Sequence, residues 1–242
     1  MVEELLARLV EKVEGRFYGK YRALVVDNAD PENRGRLKLN VPSVLGNDVV
    51  SAWALPCAPY GGAPNQGFFF IPEVDAAVWV EFESGLLDYP IWVGSFWAKP
   101  GGTSEVPKPN GADGTEESDV QNPPTRKIIK TLKGHTIQLE DTEDGDLVML
   151  FEATNGNLIA MNAEGIKIVD GKNKNTITLN DSGLKVEAAK DIELKADGDI
   201  KVTTSKGLQI QATKDIEFKA NGDIKMDAIN VKVKVSGSMD VS

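Results

Sequence analysis

Gly183-Leu184-Lys185-Val186-Glu187-Ala188-Ala189-Lys190, then Asp191-Ile192-Glu193-Leu194-Lys195-Ala196-Asp197-Gly198, open an eight-residue pattern that recurs six times, with later units starting at Asp199, Gly207, Asp215 and Asp223. Each unit sets Gly or Asp first, then an apolar residue, any residue, a second apolar residue, any residue, and Ala or Thr. The first apolar column is Leu184, Ile192, Ile200, Leu208, Ile216 and Ile224; the second is Val186, Leu194, Val202, Ile210, Phe218 and Met226. Alternation within a unit is strand periodicity, giving one dry and one wet face. A fixed short period marks a repeat architecture. Eight extended residues span roughly 26 Å, and two large apolar residues per unit cannot enclose a core alone. One chain would expose an apolar stripe and open strand edges. Three chains around a common axis remove both problems. The two columns are therefore the expected core of an intertwined trimeric β-helix.

Competing readings are weaker. Single-chain β-solenoids use longer coils, and an antiparallel meander rarely keeps one period across six units. Disorder does not produce columns this regular. Upstream the pattern loosens: Ile166/Ile168 and Ile177/Leu179 keep the spaced pair, but Gly171-Lys172-Asn173-Lys174-Asn175 breaks the phase. Thr136–Glu140, Leu147–Phe151 and Leu158–Met161 read as short strands between Asp/Gly/Asn turns. The helix is expected to run from about residue 134 to 235, with a wider, less regular start.

Residues 20–98 read as a small β domain. Strands are expected at 21–26, 35–41, 51–56, 77–82 and 90–96, which suits a five-stranded OB-type barrel. Leu5, Leu6, Leu9, Val10 and Val13 line one side of a helix within an arm at 1–19. Pro100, Pro107, Pro109, Pro123 and Pro124, with interspersed glycines, mark residues 99–126 as an extended linker. Residues 127–242 form the C-terminal β-helix. The fold is all-β.

The chain carries 27 Lys+Arg against 37 Asp+Glu, and residues 1–125 hold most of the excess acid. That argues against a nucleic-acid partner, which requires a basic footprint. No apolar run reaches transmembrane length, and the first residues lack a secretion-signal pattern. Cys57 stands alone and is expected to be a buried small apolar residue. Catalytic, cofactor and metal sites are not expected. His135 lies in a strand-and-turn context. The carboxylates Glu140, Asp141, Glu143, Asp144 and Asp146 lack EF-hand spacing and read as a solvated turn. Gly61–Gly67 lacks the Lys-Ser/Thr of a phosphate loop. Trp53, Trp79, Trp92 and Trp97 offer stacking faces for a glycan or oligonucleotide, or else packing surface.

Val26-Asp27-Asn28, Pro31, Arg34-Gly35-Arg36-Leu37-Lys38-Leu39, Val41-Pro42, Trp53, Pro56, Gly67, Ile71–Phe82 and Pro90-Ile91-Trp92-Val93-Gly94, in that order, resemble the OB domain of contractile-tail spike proteins. That family includes phage baseplate assembly protein V and type VI secretion spikes. Gly134–Thr142 followed by β-helix repeats also resembles those spikes. The resemblance implies a structural, non-enzymatic homotrimer in a virion tail baseplate or related injection particle. It implies a trimeric hub at the OB end and envelope piercing on sheath contraction. Three departures matter. The 99–126 linker is too short for the lysozyme domain that some spikes insert. Few residues precede the OB part, so the hub is expected to be a separate protein. No His-x-His tip motif is present, so a separate PAAR-type tip protein is expected. The alternative is a trimeric glycan- or receptor-binding tail module.

Overall fold

The computed structural model describes Glu3 and residues 15–120, 122–143, 145–234 and 236–237. The helix expected in the arm falls largely outside them. β1 (Tyr21–Asp27), β2 (Lys38–Asn40), β3 (Leu55–Pro56), β4 (Ala77–Phe82) and β5 (Pro90–Ser95) form one sheet in the order β2-β1-β4-β5-β3. β3 runs parallel to β5; the other pairs are antiparallel. The sheet curls back on itself through reciprocal backbone bonds between Leu37 and Ala54, 3.1 and 2.7 Å long. Alternation along β1 and β4 points Ala23, Val25, Val78 and Val80 inward, onto Leu37, Leu39, Val41 and Trp92. This is the expected barrel. β2 and β3 are shorter than expected, because closure is made by single bridges rather than continuous ladders.

The turn after β1 is held by one buried carboxylate. Asp30 accepts from the backbone N–H of Glu32, Arg34 and Arg36 at 2.8–3.2 Å, and from Arg36 Nε and Nη2 at 3.0 and 2.6 Å. Arg36 is thus engaged inside the turn, stacked over Trp53. Trp92 is core, donating to the Gly35 carbonyl at 3.1 Å. Trp79 lies outside against Phe96 and Arg22, and Trp97 is exposed. Cys57 is exposed, contrary to expectation. It directly follows β3, where the chain leaves the barrel.

β6 (Arg126–Lys130), β7 (Thr136–Glu140), β8 (Leu147–Glu152), β9 (Asn157–Asn162), β10 (Gly165–Asp170), β11 (Asn175–Asn180) and β12 (Gly183–Glu187) form a second sheet, each strand antiparallel to the next. The winding expected from about residue 134 therefore does not begin there. These strands pair with one another within the chain, β6 and β12 on one side only, because the turns between them are short enough for hairpins. The first octad is the last strand of this meander. Residues 192–234 make a separate unit. Among the described residues they carry no strand pairing within the chain.

The linker is not free chain. Pro109 and Asn110 are buried. Asn110 N donates to Gln138 Oε1 at 2.9 Å, and Gln138 Nε2 donates back to Asn110 O at 2.8 Å. Gly114 has φ +86°, and a Cβ there would sit 2.5 Å from the Phe151 ring. Residues 106–117 are thus a strap lying on one face of the second sheet.

Hydrogen bonds from Arg36 hold the Asp30 carboxyl well below its usual range, against the cost of desolvation. A depressed folded pKa stabilises above the unfolded value of about 4 and is lost on acidification. Asp30→Asn is expected to lower the melting temperature at pH 7 by at least about 5 °C. It should also flatten the decline in stability below about pH 4, read by thermal melts across pH.

Candidate functional site

The second sheet has two unlike faces. Thr136, Gln138, Glu140, Leu147, Met149, Leu158 and Ala160 are buried on the face that the strap covers. The intervening residues point the other way, because side chains alternate along a strand. Strand register lines these up in two rows. One runs Ile129, Ile137, Leu150, Ile159, Ile168, Ile177, Val186; each pairs with the next across the sheet. The other runs Lys127, Leu139, Val148, Met161, Ile166, Leu179, Leu184 in the same way. Apart from Lys127, every member is a large apolar residue. Their exposure runs from 37% at Ile177 to 68% at Leu184. A contiguous apolar surface of this extent marks a protein contact. It can pack face to face on another sheet at about 10 Å.

The covered face explains why the open one is apolar. Arg126 bridges strap and sheet, pairing with Glu117 and standing 2.7 Å from Glu140 through Nε. Lys130 Nζ donates to the Lys108 carbonyl, Asn110 Oδ1 and Glu116 Oε2 at 2.6–3.0 Å. Arg126, Lys130, Thr136 and Gln138 on this face are met by groups of the chain's own strap. Among the described residues, the opposite rows have no such cover within the chain.

Of the expected core residues, Leu184 and Val186 end the two rows on β12. Ile192, Leu194, Ile200, Val202, Leu208, Ile210, Ile216, Phe218, Ile224 and Met226 are all exposed in the 192–234 unit, from 48% at Ile216 to 77% at Leu194. No core within this unit shelters them among the described residues. Sequence reading missed the rows upstream of β12, although the spaced pairs were visible there. Of the carboxylates in the 140–146 stretch, Glu140 pairs with Arg126 and Asp141 with Lys127. Asp144 lies outside the described residues. His135 accepts the Ala153 N–H on Nδ1 at 3.2 Å.

The barrel carries a second exposed surface. Residues 57–72 loop out with Tyr60, Phe68, Phe69 and Phe70 all more than half exposed. Phe68 N donates to Tyr60 O at 3.0 Å at the loop's neck. Phe68 stacks edge-on against Tyr60 and tilted against Phe70. The loop encloses a cavity of about 650 Å³ with Pro56 and Trp92 in its wall.

Residues 21–97 match the family model of the type VI secretion system/phage-baseplate injector OB domain. Residues 127–190 match that of the phage baseplate V C-terminal trimerisation domain. The second match covers the seven-stranded sheet and stops where the octads at Asp191 begin. It supports assembly as a homotrimer. No curated protein matches the chain.

If the two rows form the contact between copies, Ile159→Asp with Ile168→Asp should convert trimer to monomer or aggregate. Lys167→Asp, between the rows on the other face, should leave the mass unchanged. Size-exclusion chromatography with light scattering decides between them.

Proposed function

The chain belongs to the phage baseplate assembly protein V and contractile-injection spike family, and from that we propose that it is the central spike of a contractile baseplate. Three copies form a needle. Its OB end attaches to a trimeric hub, and sheath contraction drives the shaft through the target envelope. A PAAR-type tip protein occupies the far end. The particle is a phage tail or a related secretion device, in line with the family's baseplate role.

The observation that carries this reading is the incompleteness of one chain. Two apolar rows lie bare on the second sheet, and residues 192–234 have apolar columns without a core. Buried backbone groups must be hydrogen-bonded, so the octads need neighbouring chains to form a dry shaft. A needle of three intertwined chains shares load over many parallel hydrogen bonds. It also presents no single strand that can be peeled away alone.

The reading assigns no catalytic step. Carboxylates at the turns are occupied by local donors: Glu152 by Thr154, Asn155 and Asn157, and Asp170 by Asn173 and Asn175. The exposed aromatics of the 57–72 loop are assigned to the hub contact, since aromatic side chains are enriched at interface centres.

Light scattering on the purified chain, with and without SDS at room temperature, tests the trimer. Three times the 26.2 kDa chain mass, resistant to SDS, is the expected result; a clean monomer sinks the needle. Phe68→Ser with Phe69→Ser should leave that trimer intact yet lower incorporation into assembled particles at least tenfold, about 1.4 kcal/mol of lost contact. Quantitative blotting of purified particles reads the loss, and unchanged incorporation would remove the loop from the hub contact.

A further inference from the structure

The second sheet contains a repeat that is longer than the octad. Residues 152–169 and 170–187 superpose in sequence, with Asn155/Asn173, Asn157/Asn175, Ile159/Ile177, Asn162/Asn180, Gly165/Gly183 and Lys167/Lys185 identical. Each unit is a turn followed by a hairpin, β9–β10 or β11–β12.

The hydrogen bonds repeat with the residues. Glu152 accepts from Thr154 N, Asn155 N, Asn155 Nδ2 and Asn157 Nδ2 at 2.8–3.1 Å. Asp170 accepts from Asn173 N, Asn173 Nδ2 and Asn175 Nδ2 at 2.8–3.0 Å. Asn157 Oδ1 takes the Gly171 N–H at 3.1 Å, and Asn175 Oδ1 takes the Ala189 N–H at 3.0 Å. At the opposite end, Asn162 Oδ1 takes Glu164 N and Asn180 Oδ1 takes Ser182 N, both at 3.0 Å. Gly165 and Gly183 follow, each with positive φ. Donors from Asn173 hold Asp170 below its usual range. Desolvation works against the charge on Glu152, and donors from Asn155 and Thr154 outweigh it. Every turn of the unit is thus closed by the unit itself or by the second residue beyond it.

We propose that residues 170–187 are a self-contained length module of the shaft, removable or repeatable in whole units without changing the open face or the exit of the chain. This rests on the trimeric-shaft reading. Removing the unit joins Val169 to Ala188, as Glu187 is joined now. Ile168 then stands as far from Ile192 as Val186 does in the full chain, so the octads keep their phase. Two strands leave together, so chain direction is preserved. The buried Leu147, Met149, Leu158 and Ala160 are untouched, because neither β11 nor β12 contributes a buried residue. A partial deletion lacks these properties, since an odd strand reverses direction and a one-residue slip turns the apolar row to the wrong face.

Three variants test this: deletion of 170–187 together with Ala189→Gly, because Ala189 then takes the place of Gly171, where a Cβ would clash with the Gly156 carbonyl oxygen; tandem duplication of 170–187; and deletion of 170–178. Solution mass, SDS resistance and rod length by electron microscopy are read for each. Both whole-unit variants should be SDS-resistant trimers, shorter or longer by roughly 10 Å, two strand spacings. The half-unit deletion should lose the trimer. The module is overturned if both whole-unit variants are monomeric or aggregated while the full chain is trimeric, or if the half-unit deletion trimerises equally well. A monomeric full chain would instead sink the shaft reading. The module then stands or falls on whether the whole-unit deletion melts within about 5 °C of the full chain and the half-unit deletion does not.

Discussion

Satisfying the backbone is the constraint on which the rest of this molecule depends. Every non-proline residue brings a donor and an acceptor that cannot be buried unpaired. From Arg126 to Glu187 the chain meets most of that demand alone, by folding back into seven antiparallel strands that leave only the outer edges of β6 and β12 unpaired by strands. Beyond Lys190 the turns no longer return the chain onto itself. The same apolar-x-apolar spacing continues, but its backbone has no partner within the chain among the described residues. In the proposed trimer, other chains supply one. One sequence pattern is thus paired within the chain before residue 190 and unpaired after it among the described residues, and the change comes at the end of the matched trimerisation domain.

The strap decides which side of the sheet is available for partners. Without it, both faces would need cover. Asn110 and Gln138 exchange a pair of hydrogen bonds that imitate a strand pair, and Arg126 is held between Glu117 and Glu140. Breaking one partner of such a cluster leaves a buried charge unpaired, which is strongly destabilising. Polar matching on the covered face therefore discourages that face from meeting another chain. The rows on the other face carry no charge apart from Lys127 at one margin. Specificity comes from the polar side, and association from the apolar side.

How much of this was legible follows from the geometry of the turns. The octads are plain in the sequence because each unit is one strand with one joint, giving a constant interval. The sheet obeys the same two-column rule but hides it. Its turns differ in length: 131–135, 141–146, 153–156 and 171–174 are long, whereas 163–164 and 181–182 are short. The pairs 137/139, 148/150, 159/161, 166/168 and 177/179 therefore stand at unequal intervals, and successive strands enter the rows in reversed order. Ile177/Leu179 looked out of phase only because the Asp170–Asn175 turn was read as an interruption instead of a joint. In the barrel, β4 and β5 were readable from alternation, whereas β2 and β3 depended on the Leu37–Ala54 bridge between distant residues. The strap was unreadable for a similar reason. Proline and glycine density signals irregular chain, and says nothing about whether that chain lies on a surface.

For the proposed homotrimeric spike, the division between self-paired segments and segments left unpaired within the chain implies an order of assembly. Hairpin contacts are local, so the sheet bears little loop-closure cost and can form before chains meet. Its open rows then give three chains a reason to associate. Once joined, the octads of each copy are held at high effective concentration near the others, turning a three-body encounter into an intramolecular one. Winding from the sheet outward is then downhill, each octad placing the next. Winding from the far end would require three unstructured chains to find register without a template, and an eight-residue period gives many equally good wrong registers. In the proposed spike the sheet is thus the element that brings the chains together and fixes the register of the octads.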